Sequence, residues 1–93
     1  MKIMILNEKD NVAVALEALE AGDLLAVPSP RSGEMPLKDA IPIGHKVALD
    51  EMEPGQAVRK YGEVIGLATR PIRPGEHVHD HNVESQRGRG DRA

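Results

Sequence analysis

Ile41-Pro42-Ile43-Gly44-His45-Lys46-Val47, Met52-Glu53-Pro54-Gly55-Gln56-Ala57-Val58 and Ile72-Arg73-Pro74-Gly75-Glu76-His77-Val78 share one pattern, apolar-x-x-Gly-x-x-Val. In the second and third segments, Pro followed by Gly is the pair a type II turn asks for, because glycine accepts a positive φ at little cost. The chain is therefore expected to turn sharply and enter a strand three times. Glu63-Val64-Ile65-Gly66-Leu67-Ala68-Thr69, between the last two turns, reads as a further strand, with Gly62 and Gly66 allowing bends or close backbone approach.

The last turn leads into Glu76-His77-Val78-His79-Asp80-His81-Asn82, which holds three of the four histidines. Read as a strand over 76–82, it projects His77, His79 and His81 from one face and sends Val78 into the core. Neutral imidazoles are common ligands for Zn²⁺, Fe²⁺ and Mn²⁺, so His77, His79 and His81 form the expected metal set. The competing reading is an edge strand with solvated histidines. Three ligands from one strand seldom converge on one ion, and two plus a partner's carboxylate is easier.

Upstream, Met1–Leu6 is an apolar run that reads as a first strand. Asp10 or Asn11 is a good N-cap for a helix running to Ala21, with Val12, Leu16 and Leu19 at i, i+4 and i+7 and Gly22 as its stop. Leu24–Val27 reads as a short strand cut off by Pro28. Residues 28–40 contain Pro28, Pro30, Gly33 and Pro36 without either period and read as a loop or flap. The expected class is mainly β with one helix (α+β), in one domain over residues 1–83, with a disordered tail over 84–93. That tail carries no apolar residue except Ala93.

At 93 residues, without Phe or Trp and with Tyr61 as the only aromatic ring, the core is small and lacks large anchors. Support from a partner or a homo-oligomer fits such a core. The absence of cysteine removes disulfides and thiolate metal sites. The opening apolar run is too short for a signal or a membrane span, and no membrane association is expected. A net charge of −3 with interspersed signs is no nucleic-acid footprint. The expected location is cytoplasmic. Residues 41–75 carry five bases against four acids, and residues 1–40 four against seven, so an anion is expected in the middle third.

Gly44-His45-Lys46-Val47, Lys60-Tyr61-Gly62 with Ile65-Gly66, and His77-Val78-His79 followed by His81-Asn82-Val83 resemble the SAF domain of the altronate and galactarate dehydratase family. Asp10–Ala15 resembles that family's opening helix, so the resemblance covers residues from about 7 to 83. The resemblance implies a β-clip (SAF-like) fold and membership of a lyase that removes water from a sugar acid such as altronate or galactarate. It also implies a role as small subunit or detached domain beside a large catalytic dehydratase subunit, inactive alone. A sister group, similar over the same domain, eliminates sulfite from sulfolactate.

On that basis His45, Lys46, His77 and His79 are the expected catalytic residues. Lys60, Tyr61 and Asn82 are expected to bind the anionic sugar acid. A divalent metal, Fe²⁺ or Mn²⁺, is expected to be shared with the large subunit. Elimination needs loss of the proton α to the carboxylate, departure of the β-substituent, and stabilisation of the dianionic intermediate; histidines and lysines supply those functions. The alternative is a non-catalytic module that binds a carbohydrate acid or a protein.

Overall fold

The computed structural model describes residues 1–85. Among the described residues nine strands carry the architecture: β1 (Ile3–Met4), β2 (Val12–Ala15), β3 (Leu24–Ala26), β4 (Glu34–Pro36), β5 (Lys46–Ala48), β6 (Ala57–Lys60), β7 (Glu63–Ala68), β8 (His77–Val78) and β9 (Val83–Ser85). They form a four-stranded sheet in the order β1-β2-β5-β8, a β3-β4 hairpin and a three-stranded β6-β7-β9 sheet, with every pairing antiparallel. Among the described residues there is no helix, so none that could cross a membrane.

The four-stranded sheet is buried on both faces. Ala13, Ala15 and Val47 pack with Leu25, Met35 and Leu37 from the hairpin side. Val12, Ala48 and Val78 pack with Val58, Ala68 and Ile72, flanked by Ile65 and Val83. This arrangement overturns the helix expected over residues 10–21. Val12 and Ala13 are buried in opposite cores, which is the period of a strand, and β2 lies hydrogen-bonded between β1 and β5. A strand covered on both faces reads as a continuous apolar run, and a run rich in alanine also satisfies a helical period. Leu16, expected in the helix's core stripe, is instead 40% exposed.

The expected turns form at all three places. Gly44, Gly55 and Gly75 have φ of 82°, 89° and 90°, and each turn is closed by a backbone hydrogen bond: His45 N–H to Pro42 C=O, Gln56 N–H to Glu53 C=O and Glu76 N–H to Arg73 C=O. A fourth copy occupies the end of the expected helix. Leu19-Glu20-Ala21-Gly22-Asp23-Leu24-Leu25 turns at Gly22 (φ 92°), with Asp23 N–H donating to Glu20 C=O.

The apolar residues that open the four copies pair with each other. Leu19 exchanges both backbone hydrogen bonds with Ile41, and Met52 does the same with Ile72. The residues that open and close the copies are all buried: Leu19 and Leu25, Ile41 and Val47, Met52 and Val58, Ile72 and Val78. The fold is thus two pairs of cross-bridged turns around a central sheet.

Four further expectations change in extent. The first strand is limited to Ile3–Met4, and the 28–40 segment contributes β4, paired to β3 with Leu25 opposite Met35. The strand expected over 76–82 stops at Val78, and residues 79–82 form a bend and turn. Glu84 and Ser85, the first two residues of the expected tail, lie in β9, and the rest of that tail is outside the described residues.

The turn glycines separate two costs. A Cβ at Gly55 meets nothing, whereas one at Gly75 runs into the Pro36 carbonyl oxygen. Gly55→Ala should lose only the left-handed backbone preference, about 1–2 kcal/mol. Gly75→Ala adds overpacking and should lose about 3 kcal/mol or more. Urea unfolding of the two variants measures this, and equal losses would show that the Pro36–Gly75 contact does not constrain the fold.

Candidate functional site

The pairing of β5 with β8 assembles the site. Its register places Lys46 opposite Val78 and Val47 opposite His77. His45 and Lys46 therefore leave the start of β5 toward opposite faces. On one side the His45 ring stacks on His79, with centroids 4.2 Å apart and planes 20° apart, and His45 Nδ1 lies 2.9 Å from His77 Nε2. One ring nitrogen from each of His45, His77 and His79 falls within 4.8 Å of the others. His81 stands beside this group, its centroid 5.3 Å from that of His77, but is not among the three. The expected set of His77, His79 and His81 thus exchanges His81 for His45, because the chain leaves the strand after Val78 and the cross-strand neighbour takes the place.

Asn82, expected to meet substrate, is buried behind the cluster. Its side-chain oxygen accepts the His79 N–H and its amide nitrogen donates to the His77 carbonyl, both at 2.9 Å. One side chain therefore ties the backbones of two of the imidazoles together. The His77 N–H donates to Asp39 at 2.9 Å, a contact across 38 positions that no local pattern announces.

On the other side, Lys46, Lys60, Ile65, His79, Asp80, Val83 and Ser85 line a cavity of about 300 Å³. His79 belongs to both the cavity and the imidazole cluster. Among the described residues neither lysine makes a salt bridge. Burial pushes the Lys46 ammonium below the usual lysine pKa and the Lys60 charge pushes it the same way, with Asp80 opposing. Two lysines against the one carboxylate of Asp80 leave the cavity lining net positive and attractive to an anion.

Lys60 is held in place from the core. It precedes a two-residue turn, Tyr61-Gly62, in which both residues have positive φ (57° and 78°), joining β6 to β7 with Lys60 opposite Glu63. Asp10, read from sequence as a helix cap, is buried, and its carboxylate accepts the N–H groups of Tyr61 at 3.0 Å and Gly62 at 2.7 Å. The Asp10 carbonyl in turn accepts Arg31, which makes a two-pronged ion pair with Asp50 at 2.8 and 2.6 Å. Tyr61 is exposed, and Lys60 Nζ sits 4.7 Å from the centre of its ring. The burial of Asp10 comes from contacts across about 50 positions and carries no local sequence signal.

Over residues 1–86 the sequence matches the family described as the altronate/galactarate dehydratase SAF domain. The chain belongs to that family. This SAF chain is 43% identical over 77 residues to the (2R)-sulfolactate sulfo-lyase subunit alpha of Chromohalobacter salexigens, an alignment covering 80% of the chain and 82% of that subunit. It is 38% identical over 85 residues to the altronate dehydratase of Escherichia coli, covering 91% of the chain and 17% of that enzyme. For the altronate dehydratase of Bacillus subtilis the values are 35% over 80 residues, 86% and 16%. The SAF chain thus spans most of one relative, a sulfo-lyase subunit by name, and about a sixth of the other two, dehydratases by name.

The imidazole cluster gives the metal-free chain a definite pH response. Burial first, then the charges of His45, His81 and His79, pull His77 below the ordinary imidazole value, with Asp39 opposing. The unfolded chain takes up that proton near pH 6.5, above the folded midpoint. This contribution to stability is therefore full above pH 6.5 and is lost as pH falls through the window beneath it. Urea unfolding should show lower stability at pH 5.5 than at pH 7.5, and His77→Gln should reduce that difference. An identical pH dependence in the variant would mean that His77 carries a proton as easily folded as unfolded.

Proposed function

We propose that this SAF chain is the acid-binding small component of a lyase that acts on a 2-hydroxy carboxylic acid, working with a separate large catalytic polypeptide. The observation that carries the reading is the Lys46–Lys60 cavity opening onto His79: two lysines, neither in a salt bridge among the described residues, and an imidazole on one wall suit a carboxylate whose α-carbon must lose a proton. Lys46 and Lys60 hold the carboxylate and take up the charge that grows on it when the α-proton leaves. His79 moves that proton, and its stacked neighbour His45 and the clamp of Asn82 fix its position. The lowered pKa of Lys46 also lets it lose a proton more readily than a free lysine, so it can serve as donor or acceptor in the same step.

Two leaving groups are compatible with this wall. The sulfo-lyase subunit alpha aligns over 82% of its length, which supports sulfite loss from a sulfonated hydroxy acid. The altronate dehydratases align over 86% and 91% of this chain, which supports loss of water from a sugar acid. The sulfonate reading comes first, because the identity is higher, 43% against 35% and 38%. In either case the chain alone does not turn over its substrate, since its described residues offer one wall of a site open to solvent.

The test is elimination by the complex recovered with the tagged chain, measured as sulfite release from sulfolactate and as keto-acid formation from altronate and galactarate. One of these activities should be present and should fall at least about tenfold with Lys46→Met, the usual loss on removing a charged hydrogen-bonding partner. An active complex indifferent to Lys46→Met, or elimination from none of the three acids, contradicts the proposal.

A further inference from the structure

We propose that His45, His77 and His79 form a binding site for one divalent transition-metal ion, built by this chain before any partner is present. The donors come from two paired strands rather than one: His45 from the turn that leads into β5, His77 from β8 and His79 from the bend after it. Their ring nitrogens lie within 4.8 Å of one another, and the closest pair, His45 Nδ1 and His77 Nε2, is 2.9 Å apart. Two neighbouring ligands of one ion, with bonds of about 2.1 Å, stand roughly 2.9–3.4 Å apart. An ion replacing the proton now shared by His45 and His77 therefore needs little rearrangement there, and the third ring closes on it.

The backbones that carry the rings are already fixed. The His45 carbonyl accepts the Ala15 N–H at 2.9 Å, and the His45 N–H closes the turn on Pro42 at 3.0 Å. The His77 carbonyl and His79 N–H are bridged by Asn82, itself anchored by Thr69, whose N–H donates to the Asn82 carbonyl at 2.9 Å. These bonds fix the backbones rather than the rings, so the three imidazoles start from a set frame. An all-imidazole set suits Zn²⁺, Fe²⁺, Co²⁺ and Ni²⁺ and disfavours Ca²⁺ and Mg²⁺, which take oxygen ligands. Three ligands from one side leave coordination positions open, and because His79 also lines the lysine cavity, a hydroxy acid held there can reach them; His79 is then a ligand, and Lys46 is left to move the α-proton. That last use rests on the acid-binding reading above; the ion site does not.

Calorimetric titration of the full 93-residue chain with Co²⁺ at pH 7.5 tests the site, with folding of each variant checked by circular dichroism. The wild-type chain should bind one equivalent. His45→Ala and His79→Ala should each weaken binding at least about tenfold, whereas His81→Ala should change it less than about twofold. The proton spectrum of the wild-type cobalt complex supplies a readout that needs no variant. It should show hyperfine-shifted ring protons from three imidazoles, one of them His45. Absence of saturable one-to-one binding overturns the proposal, as does a His81→Ala loss equal to that of His45→Ala, or a cobalt spectrum without His45. Acid binding at the lysines without Co²⁺ binding would sink the ion site alone; Co²⁺ binding without acid binding would sink the acid reading alone.

Discussion

The antiparallel pairing of β5 with β8 is the constraint on which the rest depends. It joins two turn copies that are 31 positions apart at their glycines, Gly44 and Gly75, and it completes the central sheet. It sets His45 against His79 on one side and places Lys46 on the other. Two strands of only three and two residues would not pair stably by themselves in water. Burial holds them: Val47 and Val78 are fully enclosed in opposite cores, so a slip of one residue would exchange the two faces.

The glycine turns make such short strands workable. Each copy encloses one apolar residue before the glycine and one after it, and the cross-bridges Leu19–Ile41 and Met52–Ile72 tie the copies in pairs. A core without large aromatic rings is thereby assembled from aliphatic side chains of similar size, spaced by backbone geometry. The two buried polar residues among those described, Asp10 and Asn82, secure the two loops that carry the candidate site rather than the core itself. Asp10 caps the turn beside Lys60, and Asn82 clamps the bend that carries His79.

Much of this was legible in the sequence. The Pro-Gly pairs announced turns and strand entries, and the histidine-rich stretch announced a site. The fourth turn was hidden because Leu19-Glu20-Ala21 reads as good helix, and the alanines of β2 fit either period once both faces are buried. His45 could not be joined to the cluster from local spacing, since its partnership is made by strand pairing across 32 positions. His81 was overvalued for the matching reason: Asp80-His81-Asn82 is turn-forming sequence, and the chain leaves the strand before His81 can align with His77 and His79. Lys46 and Lys60 emerged as a pair only through the packing of β6 and β7 beside β8.

A single arrangement therefore underlies the account: three imidazoles and two lysines, carried on different turns, converge on opposite sides of His79. Crystals of the SAF chain grown with Co²⁺ and sulfolactate test that convergence most directly, through anomalous scattering at the cobalt edge. The account predicts one strong anomalous peak bounded by the ring nitrogens of His45, His77 and His79, with the acid's carboxylate on the Lys46–Lys60 side of His79. A peak at another site, or the acid bound away from both lysines, would contradict it.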